Sequence, residues 1–425
     1  MCEGMNELAK IPPMVLVKQK FSRPIIFDIQ KTVESELDKI FHDRELLTGK
    51  RIAITAGSRG ISNIAFILRC VAEYVNNSGG KPVVISAMGS HGGGTAEGQQ
   101  EVLASQGITP ENINYPVESS SEVVHLGSVP GHGIPVYCAK EAVEADGVIV
   151  VNRIKAHTAF RGQLGSGLAK MIGVGLGRAQ GAKVIHSCGP GEMGNIILKL
   201  SRVVRSKISI LAGLAIVENG YGETALIKAV SPENFEEEET KIYNYAQQFQ
   251  PSLPFDKLDL LIIDEMGKNF SGTGMDTNII GRWRIRGVAE PERPDITRIL
   301  VLNLSEKSYG NATGIGLADF TTKKLVNKID YRSTYLNCLT SGFIQRAMIP
   351  ITLDSDQEAI ETAINSIKLQ GNSSLKIVRI KNTLHLNEIY CSEGLIPDVI
   401  ASSNLKIVGK PHKLLFDQKG NLIRG

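Results

Sequence analysis

The chain has 425 residues, of which 42% are hydrophobic and 21% are charged, a composition typical of globular proteins. Its formal net charge is only +3, and no Lys/Arg block interleaves with aromatic residues, which argues against a nucleic-acid-binding protein. No apolar run approaches the roughly 20 residues of a membrane span. The scattered cysteines include no CxxC pair, so we expect neither a disulfide framework nor a four-thiolate zinc site.

Residues 1–18 mix charged residues and prolines, and they lack the apolar core and the cleavage site of a secretory signal. We therefore expect a cytoplasmic protein with reduced thiols and without a membrane or nucleic-acid partner. The sequence is compatible with a homodimer but does not specify an oligomeric state.

The first half of the chain alternates predicted strands with predicted helices. Apolar runs at 51–55, 82–86, 147–151 and 208–216 each have the length and composition of a buried strand. Helices are predicted after the first two of these runs. Near-continuous apolar strands separated by helices are typical of a parallel sheet covered on both faces. We therefore predict an N-terminal α/β domain with a Rossmann-like parallel sheet.

The second half begins after a proline-rich stretch at 251–254, which is the predicted linker. The acidic run before it, 236–239, is interpreted as the solvated start of a helix. The apolar run 259–264 opens a second α/β unit. We predict two α/β domains with the active site in the cleft between them. The predicted segments are residues 1–252, residues 253–405 and a tail, 406–425, that could return to the N-terminal domain.

Three clusters of glycine and polar residues follow predicted strands of the first half, at 55–60, 88–95 and 152–170. Ligands of such sheets bind beyond the carboxyl ends of the strands, so these clusters are the predicted site. The side chains in them that can carry chemistry are Arg59, His91, His157 and Lys170, followed by His186.

Taken singly, each of these residues also has an ordinary structural interpretation. Glycines around His91 let backbone N–H groups approach an anion, yet a loop histidine is often only a cap or a surface group. A desolvated Lys170 would have a lowered pKa and act as a nucleophile, whereas a lysine with its ammonium in water only packs. His157 and His186 are equally well explained as a surface and a core histidine. Their combination favours a functional site.

The set His91, His157, Lys170 and His186 resembles the pattern of the nickel-dependent lactate racemase family. That family has a glycine-loop histidine, a second histidine after a later strand, a lysine and then a third histidine. The chain is identified as a divergent member, because the resemblance is clear in the first half and fainter in the second. There, the run 267–276 is its most distinctive part.

The resemblance implies a nickel-pincer nucleotide, a pyridinium mononucleotide whose two thiocarboxylate groups hold nickel. Lys170 would tether this cofactor, and His186 would be the protein ligand of nickel, for which imidazole is a suitable donor. The family also implies a dependence on cofactor-synthesis proteins. The remaining residues expected at the cofactor are Gly92, Gly93, Gly165 and Ser166.

The activity that the resemblance implies is racemisation or epimerisation of a small 2-hydroxy acid through a planar 2-keto acid. His91 and His157 would be paired general bases, one for each orientation of the hydroxyl group. Arg59 would bind the substrate carboxylate. An acidic residue that family members usually have near this arginine is absent, so a dicarboxylate or a sugar acid is as good a candidate as lactate. The second-domain cations that could complete the carboxylate clamp are Lys268, Arg282 and Arg284.

Three other interpretations remain open. The turn at 55–60 would suit an NAD(P)-dependent dehydrogenase, although no Tyr-x-x-x-Lys pair follows it. A protein that only binds a small molecule could use the same residues without turnover. A zinc hydrolase would use His91, His157 and His186 as three ligands.

Overall fold

The structure, a computed structural model, describes residues 10–158, 165–189, 192–367 and 374–423. The chain divides into two units. The N-terminal unit is Ser22–Gln250, and the C-terminal unit combines Met1–Phe21 with Pro251–Gly425. No helix among the described residues is both long enough and apolar enough to cross a membrane.

The helices and strands alternate through most of the chain. The strands are β1 (Met14–Gln19), β2 (Arg51–Ala56), β3 (Lys81–Ser86), β4 (Val117–Glu118), β5 (Val123–Ser128), β6 (Pro135–Ala139), β7 (Gly147–Arg153), β8 (Ile210–Glu218), β9 (Thr224–Val230), β10 (Lys257–Ile263), β11 (Asp295–Val301), β12 (Phe320–Thr322), β13 (Ile351–Leu353), β14 (Ile377–Ile380), β15 (Glu388–Ser392) and β16 (Leu405–His412). The helices are α1 (Ile29–Asp38), α2 (Ile64–Asn77), α3 (Ala96–Ser105), α4 (Pro110–Ile113), α5 (Lys140–Glu144), α6 (Leu168–Lys170), α7 (Arg178–Ser187), α8 (Met193–Lys207), α9 (Phe235–Gln247), α10 (Thr277–Ile280), α11 (Lys323–Val326), α12 (Tyr331–Ser341), α13 (Asp356–Asn365) and α14 (Ile396–Ala401).

The N-terminal unit is built on a sheet with strand order β4-β3-β2-β7-β8-β9. All neighbours in it are parallel except β8 and β9. Successive residues of a strand point to opposite faces. Accordingly, Ala53 and Val150 belong to one hydrophobic cluster, whereas Ile52 and Ile149 belong to another. Both faces of the sheet are therefore buried, and the predicted α/β fold with a parallel sheet is confirmed.

The C-terminal unit has an eight-stranded sheet with strand order β13-β12-β11-β10-β14-β15-β1-β16. The strands from β13 to β14 are parallel, and β15, β1 and β16 add to them in antiparallel pairs. This second sheet also agrees with the predicted α/β class.

Two segments lie in a different unit from the one that the sequence suggested. The sequence places residues 14–19, which form β1, in the N-terminal domain. It also allows the tail, 406–425, to return to that domain. Instead, β1 pairs with both β15 and β16 in the C-terminal unit. The reason is apolar packing, because Val15 and Val17 are buried in the same cluster as Leu261 and Ile389.

Candidate functional site

The three predicted clusters lie at one edge of the N-terminal sheet. Strands β3, β2 and β7 are adjacent and parallel, and they end at Ser86, Ala56 and Arg153. Each is followed directly by its cluster, so the segments carrying Arg59, His91 and His157 leave the sheet at the same edge. Residues 159–164 of the third cluster lie outside the described part of the chain.

Lys170 and His157 form the closest contact between predicted site residues. Lys170 ends helix α6, and its Nζ lies 2.7 Å from Nε2 of His157. Burial and, secondly, the positive charges of Arg59 and Lys155 together lower the pKa of Lys170 to about 7. A large fraction of this amine is therefore neutral at physiological pH. The pair has the composition of an activated nucleophile beside a base.

His186 lies on helix α7, and a short π-helical segment, Met171–Gly175, leads from Lys170 towards that helix. Its Nδ1 is buried and has no hydrogen-bond partner within the described residues. Burial, and secondly the charge of Lys170, lower the pKa of His186. The ring is therefore neutral at pH 7, with a buried nitrogen unpaired. A neutral imidazole of this kind is suited to a metal ligand.

His91 follows β3 in the glycine loop, and its Nδ1 lies 2.7 Å from the carbonyl oxygen of Met88. A carbonyl oxygen only accepts, so Nδ1 carries the proton and donates it. In the neutral ring, Nε2 is then unprotonated, which is the form that a general base requires. His91 thus has the tautomer that its predicted role demands.

The glycines next to His91 differ in what surrounds them. Gly92 has φ of +63°, and a Cβ on it would overlap the backbone of Gly98 in helix α3. Gly93 has φ of +67°, and a Cβ on it would meet no atom within 4 Å. Gly92 is therefore needed for close packing of the loop on α3, while the space beside Gly93 is open to a ligand.

A buried polar network that the sequence did not reveal lies under this loop. Arg178, at the start of α7, is only 1% exposed. Its guanidinium donates to Ser86 Oγ at 3.0 Å, to Gln99 Oε1 at 3.2 Å and to Glu141 Oε1 at 2.8 Å. Gln99 in turn donates to the carbonyl oxygen of Gly89 at 3.1 Å. The network therefore joins the His91 loop to the helix that carries His186.

Glu239 is a second residue that sequence reasoning missed. The acidic run 236–239 was interpreted as solvated, but Glu239 is only 1% exposed, because α9 turns this residue towards the sheet. Its Oε2 accepts the N–H of Ala169 at 2.9 Å, and the N–H of Leu168 also bonds to this carboxyl group. Burial raises the pKa of Glu239 to about 7. The carboxyl group thus caps the turn that carries Lys170.

Gly165 and Ser166, predicted at the cofactor, have structural contacts of their own. The N–H of Ser166 donates to the carbonyl oxygen of Lys155 at 2.8 Å, and the N–H of Lys155 donates to Ser166 at 2.9 Å. A Cβ on Gly165 would overlap the carbonyl oxygen of Lys155. These residues hold Lys155 beside the turn that carries Lys170, and their contact with a cofactor stays a prediction.

Arg59 forms no ion pair with a carboxylate among the residues that the structure describes. It is half-buried, and burial together with the nearby charge of Arg153 lowers its pKa to about 10. The guanidinium therefore remains protonated at neutral pH. An unpaired, partly desolvated arginine is well suited to bind a carboxylate or a phosphate.

The turn after β2 offers little to a dinucleotide. The N–H of Ser62, just before α2, donates to Glu218 Oε1 at 2.6 Å, and Glu218 also pairs with Arg153. A dinucleotide pyrophosphate would need this helix N-terminus for itself. Because a carboxylate already occupies it, the dehydrogenase interpretation loses its main support.

Within the described part of the chain, the three histidines are not arranged as ligands of one zinc ion. Among the described residues, no group of three or more His, Cys, Asp or Glu side chains is arranged to hold a metal ion. His91, His157 and His186 therefore do not converge as the ligands that a three-histidine zinc hydrolase needs.

The candidate cations of the C-terminal unit are engaged within that unit. Lys268 Nζ donates to the carbonyl oxygen of Gly272 at 2.8 Å and to Asn337 Oδ1 at 2.6 Å. Arg282 and Arg284 both pair with Asp319, at 2.8 and 2.9 Å. The two arginines thus hold a carboxylate of their own chain, and a substrate role for the three cations stays a prediction.

Comparison with known proteins gives one family match. Residues 26–189 match the model of the lactate racemase N-terminal domain, and this segment contains all five residues Arg59, His91, His157, Lys170 and His186. No curated protein matches the sequence.

Two solved structures align with most of this chain. The lactate racemase apoprotein from Thermoanaerobacterium thermosaccharolyticum aligns with 80% of this chain and 97% of its own, at 11% identity and a TM-score of 0.44. A protein from Thermotoga maritima aligns with 77% of this chain and 84% of its own, at 12% identity and a TM-score of 0.50. The second likeness concerns the fold alone.

Proposed function

We propose that the chain, whose residues 26–189 match the lactate racemase N-terminal domain, is a divergent lactate racemase-like enzyme that racemises or epimerises a small 2-hydroxy acid. The observation that carries this proposal is the contact of 2.7 Å between Lys170 and His157, in a domain that also holds a buried, unpaired nitrogen on His186. Both features are costly in a structural role and useful in a catalytic one.

These residues fit a nickel-pincer nucleotide. Lys170 offers a partly neutral amine for a covalent tether, and the unpaired Nδ1 of His186 is a nitrogen donor of the kind that nickel(II) accepts. When bound, such a cofactor would supply the acceptor and donor of the substrate hydride. Lys155, which also acts on Lys170, adds a cation suited to the cofactor phosphate.

The remaining residues account for handling of the substrate. Arg59 would bind the carboxylate and fix the orientation of the carbon that bears the hydroxyl group. In His91, Nδ1–H donates to Met88, so in the neutral ring Nε2 is the nitrogen that would take the hydroxyl proton. His157 can take the same role for the opposite enantiomer once acylation of Lys170 has removed the amine charge. Inversion through a planar keto acid requires a base for each orientation of the hydroxyl group. His91 and His157, which follow two different strands, could be these bases.

The test is a change in optical purity. Protein co-produced with the cofactor-synthesis proteins would be incubated with single enantiomers of lactate, malate and a sugar-derived 2-hydroxy acid, and followed by polarimetry. Loss of optical purity without added NAD(P) supports the proposal and identifies the substrate class. If loaded protein does not interconvert the enantiomers but oxidises one of them to the keto acid while added NAD(P)+ is reduced, the chain is a dehydrogenase. If it does neither but binds the acids in calorimetry, it is a binding protein.

A further inference from the structure

The contact between Lys170 Nζ and His157 Nε2 is suited to a reaction that takes place before any substrate is bound, namely acylation of the lysine. We propose that in the unloaded chain His157 is the general base that removes a proton from Lys170 while Lys170 attacks an acyl or thioacyl carbon. The pair would then be a centre at which the lysine amine is acylated. Only the identity of the natural acyl donor rests on the proposed function. His157 would therefore act twice, first on the lysine and afterwards on the substrate.

The geometry supports this order of events. Nζ and Nε2 lie 2.7 Å apart, within the reach that proton transfer needs. When Lys170 is neutral, its N–H can donate to an unprotonated Nε2, so the proton to be lost already points at its acceptor. A Lys170 that is acylated loses its basicity, and His157 is then released for other proton transfers.

The charges around the pair favour the reaction. The groups that act electrostatically on Lys170 are Arg59 and Lys155, both positive, and Lys170 in turn acts on His186. No described carboxylate pairs with Lys170 to hold its ammonium form. The two cations also offset the negative charge of a thiocarboxylate, which otherwise resists attack by an amine.

The atoms balance without an oxidant. Nζ forms a bond to the acyl carbon and loses one proton to His157 Nε2. With a thioester, the thiolate leaves with the electrons of the C–S bond and is protonated from His157 or water. With a thiocarboxylate, loss of hydrosulfide gives an amide and loss of water gives a thioamide.

The chain contains a matched control. On the surface of the same unit, Lys199 Nζ lies 2.8 Å from Nε2 of His132 in an exposed contact, in which His132 is exposed and Lys199 is half-buried. The two pairs have nearly the same nitrogen–nitrogen distance but differ in burial and in neighbouring cations. A reagent that acylates any lysine beside a histidine would modify both pairs alike.

The experiment uses unloaded full-length protein and a nicotinoyl thioester of N-acetylcysteamine as the probe. Acylation of Lys170 and of Lys199 is followed by peptide mass mapping between pH 6 and pH 9. We expect Lys170 to react first, and His157→Gln to lower its plateau rate about 10²-fold, the usual effect of a positioned base. His132→Gln should leave the rate at Lys170 unchanged.

A second variant separates base catalysis from local structure. In His157→Ala, added imidazole should restore acylation of Lys170, in proportion to the unprotonated imidazole present. An unchanged plateau in His157→Gln, or equal reactivity of Lys170 and Lys199, would overturn the proposal. Neither nickel nor a hydroxy acid is present in this experiment, so its outcome is independent of the racemase assay.

Discussion

Glu239 accepts a hydrogen bond of 2.9 Å from the N–H of Ala169, the residue before Lys170, and so it positions the lysine without touching it. The carboxyl group is buried, and its pKa is raised to about 7. Because the folded state holds the proton more tightly than the unfolded state, this group costs stability as pH rises from about 4.5 to 7.

The stability of Glu239→Gln should depend less on pH than that of the wild type. Glu239→Gln keeps the acceptor for Ala169 but cannot ionise, so its stability relative to the wild type should improve as pH rises. A shift of about 2.5 pH units corresponds to about 3 kcal/mol at most between pH 4 and pH 8. Urea unfolding at both pH values measures it. The same stability difference at both pH values would show that Glu239 ionises as it does in water.

A side chain at Gly167 should displace Glu239, because a Cβ there would overlap Oε1 of Glu239. We expect Gly167→Ala to destabilise the protein by about 1–3 kcal/mol and to lower the acylation rate at Lys170. Gly60→Ala is the matched control, since a Cβ on Gly60 meets no atom within 4 Å. Thermal unfolding of the two variants should therefore differ, and equal melting temperatures would contradict the packing argument.

Arg178 should be far more important for stability than an exposed arginine. Arg178→Met leaves Glu141 buried without its partner, which typically costs about 3–5 kcal/mol. Arg202→Met removes an exposed ion pair with Glu236 and should cost about 1 kcal/mol or less. Denaturant unfolding compares them. Similar losses in the two variants would mean that the network under the His91 loop contributes little.

Each of the two proposed bases should deprotonate one of the two enantiomers. In loaded protein, His91→Ala should slow formation of the keto acid from one enantiomer by about 10²-fold, and His157→Ala from the other. Single-turnover quench experiments, with the keto acid trapped by phenylhydrazine, measure each half-reaction. If one variant slows both enantiomers and the other slows neither, the protein uses a single base.

The segments that form the candidate site could be placed at one sheet edge from the sequence, because the hydrophobic pattern shows where strands end. Apolar runs matching β2, β3 and β7 are each followed by glycine and polar residues, and parallel strands bring such segments to one edge. His91, His157 and Lys170 were therefore identifiable as candidates. The contact between Lys170 and His157 depends on the path of the chain after residue 157, which no sequence period specifies.

The supporting residues could not be predicted, because their partners are distant in the chain. Glu239 bonds to a residue 70 positions away, and Arg178 bonds to Ser86 across 92 positions. Both side chains lie on helices, where a charged residue more often faces water. Strand β1 was missed for a similar reason, since both its partners, β15 and β16, lie near the other end of the chain.

The most direct test of the central claim is an intact-mass and nickel measurement on protein co-produced with the cofactor-synthesis proteins. We expect a covalent adduct of mononucleotide size on Lys170 with a stoichiometric amount of nickel. Lys170→Ala should lack the adduct, and His186→Ala should keep the adduct but lose nickel. A folded wild-type protein that carries neither adduct nor nickel under these conditions would contradict the account.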